Sequence, residues 1–174
     1  MKESNLNIIP VLLGADQNCY NVARAFHEAY GLVSYALGRY EIGITQRTKI
    51  VKFRAVENLN TDDVFMMAMD DFAKRHEGST LIALGCTDEY AALLIRHRAE
   101  LEDRYIIPYI DEPLMNKLAD KADFYEMCAH YGIKYPKTVV LDAPAAAEAL
   151  TAEKLGFAYP IIVKPSSSID YWHH

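Results

Sequence analysis

Three stretches of this chain gather residue types that can hold an anion or take part in group transfer: 14–18, 85–88 and 159–168. The first, Gly14-Ala15-Asp16-Gln17-Asn18, is a glycine turn between an apolar run and an amphipathic segment. A doubly wound sheet places its ligands there, at the carboxyl end of a strand and the start of a helix. Free N–H groups and partial positive charge at a helix start suit a carboxylate or other anion. The turn is not a dinucleotide fingerprint, because Asp16 holds the place of the second glycine and its charge opposes a pyrophosphate. That disfavours a nicotinamide oxidoreductase. Asp16 or Asn18 serves equally well as a helix cap.

Gly85-Cys86-Thr87-Asp88 repeats the arrangement, and the two turns face one crevice if their strands are neighbours. Thr87 and Asp88 then have the groups to bind a substrate amine or hydroxyl, although capping accounts for them as well. The third stretch ends an apolar run in Lys164, followed by Pro165, Ser166, Ser167 and Ser168. One cation and several N–H and O–H donors around a point make a place for polyphosphate. Taken alone, the stretch reads more simply as a strand running into a serine-rich turn.

Other reactive residue types carry less. Cys19, Cys86 and Cys128 are isolated, odd in number and outside any C-x-x-C pair, so neither a disulfide framework nor a zinc site is expected. Cys86 has no histidine placed by sequence to activate it, which leaves it as a small buried apolar residue. His27, His76, His97 and His130 fall on helical stretches outside the apolar stripes and read as solvated, while His173 and His174 end the chain as native residues or a tag. No catalytic or metal-ligating residue is assigned within these 174 positions.

The elements that must position these groups follow from periodicity. Residues 8–13 form a short continuous apolar run closed by Gly14, the pattern of a strand buried on both faces. A helix over 18–30 carries Cys19, Val22, Ala23, Phe26, Ala29 and Tyr30 on one stripe and stops at Gly31. Strands are expected at 33–37 and 49–55, then a helix from about Thr61 with Val64, Phe65, Ala68, Met69 and Phe72 inward. A second glycine-closed strand at 80–85 leads into a helix that buries Tyr90, Ala91 and Leu94, and 106–108 makes a last short strand. Strands alternating with helices imply parallel β-α-β units, hence an α/β, Rossmann-like open parallel sheet with helices on both faces. Past a polar linker at 111–113, a helix is expected over 115–131, then a strand at 138–141, a helix opened by Asp142 and Pro144, and a strand at 161–164. That second unit reads as incomplete, giving domains at 1–112 and 113–174.

Bulk properties narrow the function classes. With 18 basic and 24 acidic side chains, a net charge of -6 and no long block of either sign, nucleic acid is not an expected partner. No apolar run approaches bilayer length and the first residues lack a secretory pattern, so a soluble cytoplasmic protein is expected.

The ordered succession Asp120-Lys121, Phe124-Tyr125, Cys128, Gly132-Ile133, Pro136-Lys137-Thr138 and Tyr159-Pro160-Ile161-Ile162-Val163-Lys164-Pro165 resembles the entry into the ATP-grasp superfamily. Leu13 to Asn18, Ala23 to Gly31 and the ending Ser166 to Trp172 further resemble the D-aspartate ligase-like branch of the carboxylate–amine ligases. This resemblance implies a preATP-grasp Rossmann-like domain followed by the start of an ATP-grasp nucleotide-binding domain. It implies that Lys121 and Lys164 contact ATP phosphates and that Ser166, Ser167 and Ser168 form the loop over them, with serines where other branches carry glycines. Its cofactors are ATP and magnesium, with the magnesium ligands expected beyond residue 174. A substrate carboxylate is phosphorylated and an amine attacks the acyl phosphate, so the partners are small-molecule carboxylate and amine substrates, with pairing into a homodimer an open expectation. The chain itself is expected to be an inactive N-terminal part of such a ligase. A competing reading is a Rossmann-like module that binds a small anionic metabolite at Gly14, Asp16, Asn18, Thr87 and Asp88 without catalysis.

Overall fold

The computed structural model describes residues 7–141 and 154–164. The chain divides into two compact units, Met1–Glu112 and Pro113–His174.

The first unit is built on a five-stranded sheet in the order β3-β2-β1-β4-β5, with β1 at Ile8–Leu13, β2 at Ser34–Gly38, β3 at Val51–Ala55, β4 at Thr80–Gly85 and β5 at Tyr105–Ile106. Every pairing is parallel. It is a Rossmann-like α/β fold. Central β1 is buried on both faces: Val11, Leu12 and Leu13 are all fully inaccessible. Because successive side chains alternate, Leu12 joins Cys19 and Ala23 of α1 (Gln17–Tyr30) in one cluster. Val11 and Leu13 join the larger cluster on the other face, with Phe65 and Met69 of α3 (Asp62–Arg75) and Tyr90 and Leu94 of α4 (Asp88–Arg96). Helices thus cover both faces, as parallel strands require. Truncating Leu12 to alanine would cost about 2–5 kcal/mol, since its neighbours cannot collapse onto the space.

Some local elements escape the periodicity argument. The segment between β2 and β3 contains a one-turn helix, α2 (Gly43–Gln46), and α4 is followed by another, α5 (Arg98–Leu101). The last strand lies earlier than 106–108 because Pro108 has no N–H to give to a ladder. His97 corrects the expectation of solvated histidines: its side chain is only 16% exposed, and its Nε2 lies 2.6 Å from Asp62 Oδ1. His76 stacks on Phe72 with ring centroids 4.1 Å apart and has Nδ1 2.9 Å from the Phe72 carbonyl.

In the second unit the single helix expected over 115–131 is two, α6 (Glu112–Ala119) and α7 (Lys121–His130). Asp120 breaks the run because its carboxylate accepts the N–H groups of Ala122 and Asp123 at 2.8 and 3.1 Å, which starts a new helix. Neither 138–141 nor 161–164 forms the expected strand. Val140 is 56% exposed and Val163 87% exposed, and among the described residues neither run has a ladder partner to satisfy its backbone. The helix expected after Asp142 lies outside the described residues.

Candidate functional site

The crevice begins where strand order reverses. Chain direction runs outward from β1 to β3, then returns to β4 on the other side of β1, and Leu13 stands in register with Gly85. The two glycine turns are therefore adjacent, joined by a 2.8 Å bond from the Cys86 N–H to the Leu13 carbonyl. One turn leads to α1 on one face and the other to α4 on the opposite face, which opens a crevice at the carboxyl ends of the strands.

Glycine is required at both turns, for different reasons. Gly14 has φ 140°, and its N–H donates to the Leu37 carbonyl at 2.8 Å. A side-chain carbon on Gly85 would meet the backbone nitrogen of Ala91 at 2.3 Å, so only glycine lets α4 seat against the strand end. Gly85 is held further by Tyr109, whose hydroxyl accepts from its N–H at 2.9 Å and donates to its carbonyl at 3.1 Å.

An open cleft of about 140 Å³ lies at these strand ends, walled by Gly14, Asp16, Arg39, Tyr40, Thr87, Glu89 and Tyr90 among others. Of the residues singled out from sequence, Gly14, Asp16 and Thr87 line it. Asp16 also caps α1, its Oδ1 accepting from the N–H groups of Asn18 and Cys19 at 3.1 and 3.2 Å. Thr87 caps α4 through the N–H of Tyr90 at 3.4 Å. Asn18 turns back to Asp16, with Nδ2 3.3 Å from Oδ2, and Asp88 is the first residue of α4 rather than a wall of the cleft.

Arg39, Tyr40 and Glu89 line the cleft with no motif to mark them, and Tyr90, expected only as an inward helix residue, lines it too. Arg39 follows β2, whose terminal Gly38 repeats the glycine-closed strand end of β1 and β4, and that repetition was the available signal. The Arg39 guanidinium lies 3.6 Å from the Glu89 carboxylate and 5.7 Å from the Tyr40 ring centroid. Glu89 also accepts from Asn60 Nδ2 at 3.0 Å. Both partners of the ion pair are partly solvated, at 39% and 45% exposure, so the pair is weak and exchangeable. Burial pushes the Tyr90 hydroxyl up to about 12, so it stays a neutral donor beside the cleft. Beneath the floor, buried Thr45 donates its hydroxyl to the Ala15 carbonyl at 2.8 Å and fixes the first turn from α2.

Cys19 and Cys86 meet under Gly14. A side-chain carbon on Gly14 would lie 3.0 Å from Cys86 Cβ and 3.6 Å from Cys19 Cβ. Interaction with the neighbouring Cys86 side chain, then burial, raises Cys19 far above the usual thiol range.

In the second unit Lys121 is the first residue of α7. Lys164 is exposed and closes the last described stretch, while Ser166, Ser167 and Ser168 lie outside the described residues. Lys137 donates from Nζ to the Gly156 carbonyl and lies 5.0 Å from the Phe157 ring centroid, which brings the Pro136-Lys137-Thr138 segment against 156–157. Among the described residues there is no group of three or more His, Cys, Asp or Glu side chains able to hold a metal ion. Nor is any described helix long and apolar enough to cross a membrane.

No family model matches the chain. It is 35% identical over 170 residues to the D-aspartate ligase of Enterococcus faecium (strain Aus0004), an alignment that takes in 96% of this chain and 40% of that enzyme. The similarity runs through nearly the whole chain, which spans about two-fifths of that relative.

Proposed function

We propose that the chain is the N-terminal part of an ATP-dependent carboxylate–amine ligase of the ATP-grasp type. The alignment of 96% of its residues with a D-aspartate ligase carries this reading. In it, residues 1–112 form the preATP-grasp domain and 113–174 begin the nucleotide-binding domain, in a cytoplasmic enzyme open to pairing as a homodimer.

The reaction such a ligase performs is an acyl activation. The substrate carboxylate takes the terminal phosphoryl group of ATP and releases ADP; the amine then attacks the acyl carbon and expels phosphate, leaving an amide. Bound magnesium supplies charge neutralisation on the phosphates, and the groups that would hold it belong to the part of the ligase this chain does not span. What the chain's own residues offer is positioning and charge. Lys121 and Lys164 are assigned to the ATP phosphates, where a compact ammonium on a long stem can follow the moving charge. Ser166, Ser167 and Ser168 are assigned to the covering loop.

The cleft at the strand ends is assigned to the small-molecule substrate. Arg39 provides a planar, always-charged fork for a carboxylate, at present facing a solvated Glu89 that a ligand can displace. Gly14 gives close backbone approach, and Thr87 and Tyr90 border the space as hydroxyl groups. The cleft is complete within the first unit, and this favours a second reading in which residues 1–112 act as a metabolite-binding module.

Phosphate release measured across a panel of amino acids separates the two. The ligase reading expects ATP-dependent release from the full-length protein only with both a carboxylate and an amine present, and none from the 174-residue chain. The module reading expects ligand binding to residues 1–112 with no release from either.

A further inference from the structure

The paired thiols under the first turn have no place in the ligase reading. Cys19 sits in the first turn of α1 and is fully buried, whereas Cys86 begins the turn after β4 and is partly exposed. A side-chain carbon on Gly14 would lie 3.6 and 3.0 Å from their Cβ atoms, so those two atoms are at most 6.6 Å apart. Both belong to the apolar cluster on the α1 face, so no polar side chain need be displaced to bring them closer. A disulfide joins side chains whose Cβ atoms stand about 3.5–4.5 Å apart, a separation that lies within that limit. Sequence spacing gives no hint of this pair, because 66 intervening residues separate them and neither lies in a recognised motif.

We propose that Cys19 and Cys86 are an oxidation site that closes to an intramolecular disulfide when a low-molecular-weight disulfide reaches Cys86. The more accessible member, Cys86, reacts first. Its thiolate attacks one sulfur of the reagent, forming a mixed disulfide at Cys86 and releasing one reagent thiolate. Cys19 then gives up its proton to solvent and attacks Cys86 Sγ, forming the protein disulfide and releasing the second thiolate. Two protein thiols are oxidised, one reagent disulfide is reduced to two thiols, and the two thiol protons balance the two leaving groups. The second step is the slow one, because burial disfavours a thiolate at Cys19. Once formed, the bond ties the start of α1 to the end of β4 across the floor of the cleft.

The test incubates the 174-residue chain with oxidised glutathione and maps its thiols by alkylation after unfolding, followed by peptide mass spectrometry. The expected product has a Cys19–Cys86 cross-linked peptide, has lost two hydrogen masses and keeps Cys128 alkylated. Replacing Cys19→Ala should trap the glutathione adduct on Cys86, and Cys86→Ala should leave Cys19 unmodified. The cross-linked form should melt several degrees higher than the reduced form. A wild-type chain that stops at the mixed disulfide, that stays fully reduced, or that links either residue to Cys128 instead would overturn the proposal. Wild-type peptide mapping decides this even if one of the variants does not fold.

Discussion

Gly85 and Tyr109 are bonded to one another twice: the Gly85 N–H donates to the Tyr109 hydroxyl at 2.9 Å, and that hydroxyl donates to the Gly85 carbonyl at 3.1 Å. One side chain thus closes the β5-side edge of β4 at Gly85, since β5 pairs only with Leu81 and Ile82. Burial raises the Tyr109 hydroxyl above its ordinary range, so it remains a donor at neutral pH.

Replacing Tyr109→Phe removes both bonds with little change in shape. Leaving a partly buried N–H and carbonyl without this partner should cost about 1–3 kcal/mol. Urea denaturation should register the loss as a lower midpoint with unchanged slope. An unaltered midpoint would mean that water serves these groups as well as the tyrosine does.

Thr45 makes a comparable prediction from the other side of the cleft. Its buried hydroxyl holds the Ala15 carbonyl, and Thr45→Val keeps the volume while leaving that carbonyl without its donor. Destabilisation of about 1–2 kcal/mol is expected, with Thr45→Ser retaining most of the wild-type stability. Equal losses in the two variants would assign the effect to packing instead.

Acid sensitivity should report on Asp62. Its hydrogen bond to His97, and after it the one to Arg96, holds the carboxyl below the usual carboxylate range. A folded-state value below the unfolded one makes the contribution complete above the ordinary value of about 4 and lost as pH falls through the lowered folded value. Asp62→Asn should therefore narrow its stability deficit relative to wild type as pH drops from 5 to about 3, measured by chemical denaturation at each pH. A deficit independent of pH would exclude this carboxylate as the source.

Much of this architecture is legible in the residues because the strands are buried on both faces. Such strands appear as uninterrupted apolar runs, and 8–13 and 80–85 are the two that place the cleft. The helical stripes on α3 and α4 are legible from their three- and four-residue steps, whereas on α1 the stripe buries Cys19 and Ala23 but leaves Ala29 and Tyr30 exposed. Arg39 and Glu89 are harder to read: their relationship depends on β2 and β4 flanking β1, a matter of sheet order rather than of local spacing. Asp120 carries a cap signal that competes with a continuous helical stripe, and the cap prevails. The runs at 138–141 and 161–164 have strand composition, yet composition does not provide a partner to complete a ladder.

Arg39→Ala separates binding from folding. Its ion pair with Glu89 is solvated, so stability should change by no more than about 1 kcal/mol. In the proposed ligase, losing a charge-assisted contact to the substrate carboxylate should raise KM for that substrate roughly ten- to a hundredfold, with kcat less affected. Arg39→Lys should recover part of the loss. A fall in kcat with KM unchanged would place Arg39 elsewhere in the reaction.

The most direct test is ADP formation by the full-length protein with ATP, magnesium, D-aspartate and an amine acceptor, read together with the amide product by mass spectrometry. The account predicts ADP release coupled to amide formation and requiring both substrates, and a rate lowered about a hundredfold or more by Lys164→Ala. ADP release that ignores the carboxylate and the amine, or no turnover across a wider panel of acids and amines, would contradict it.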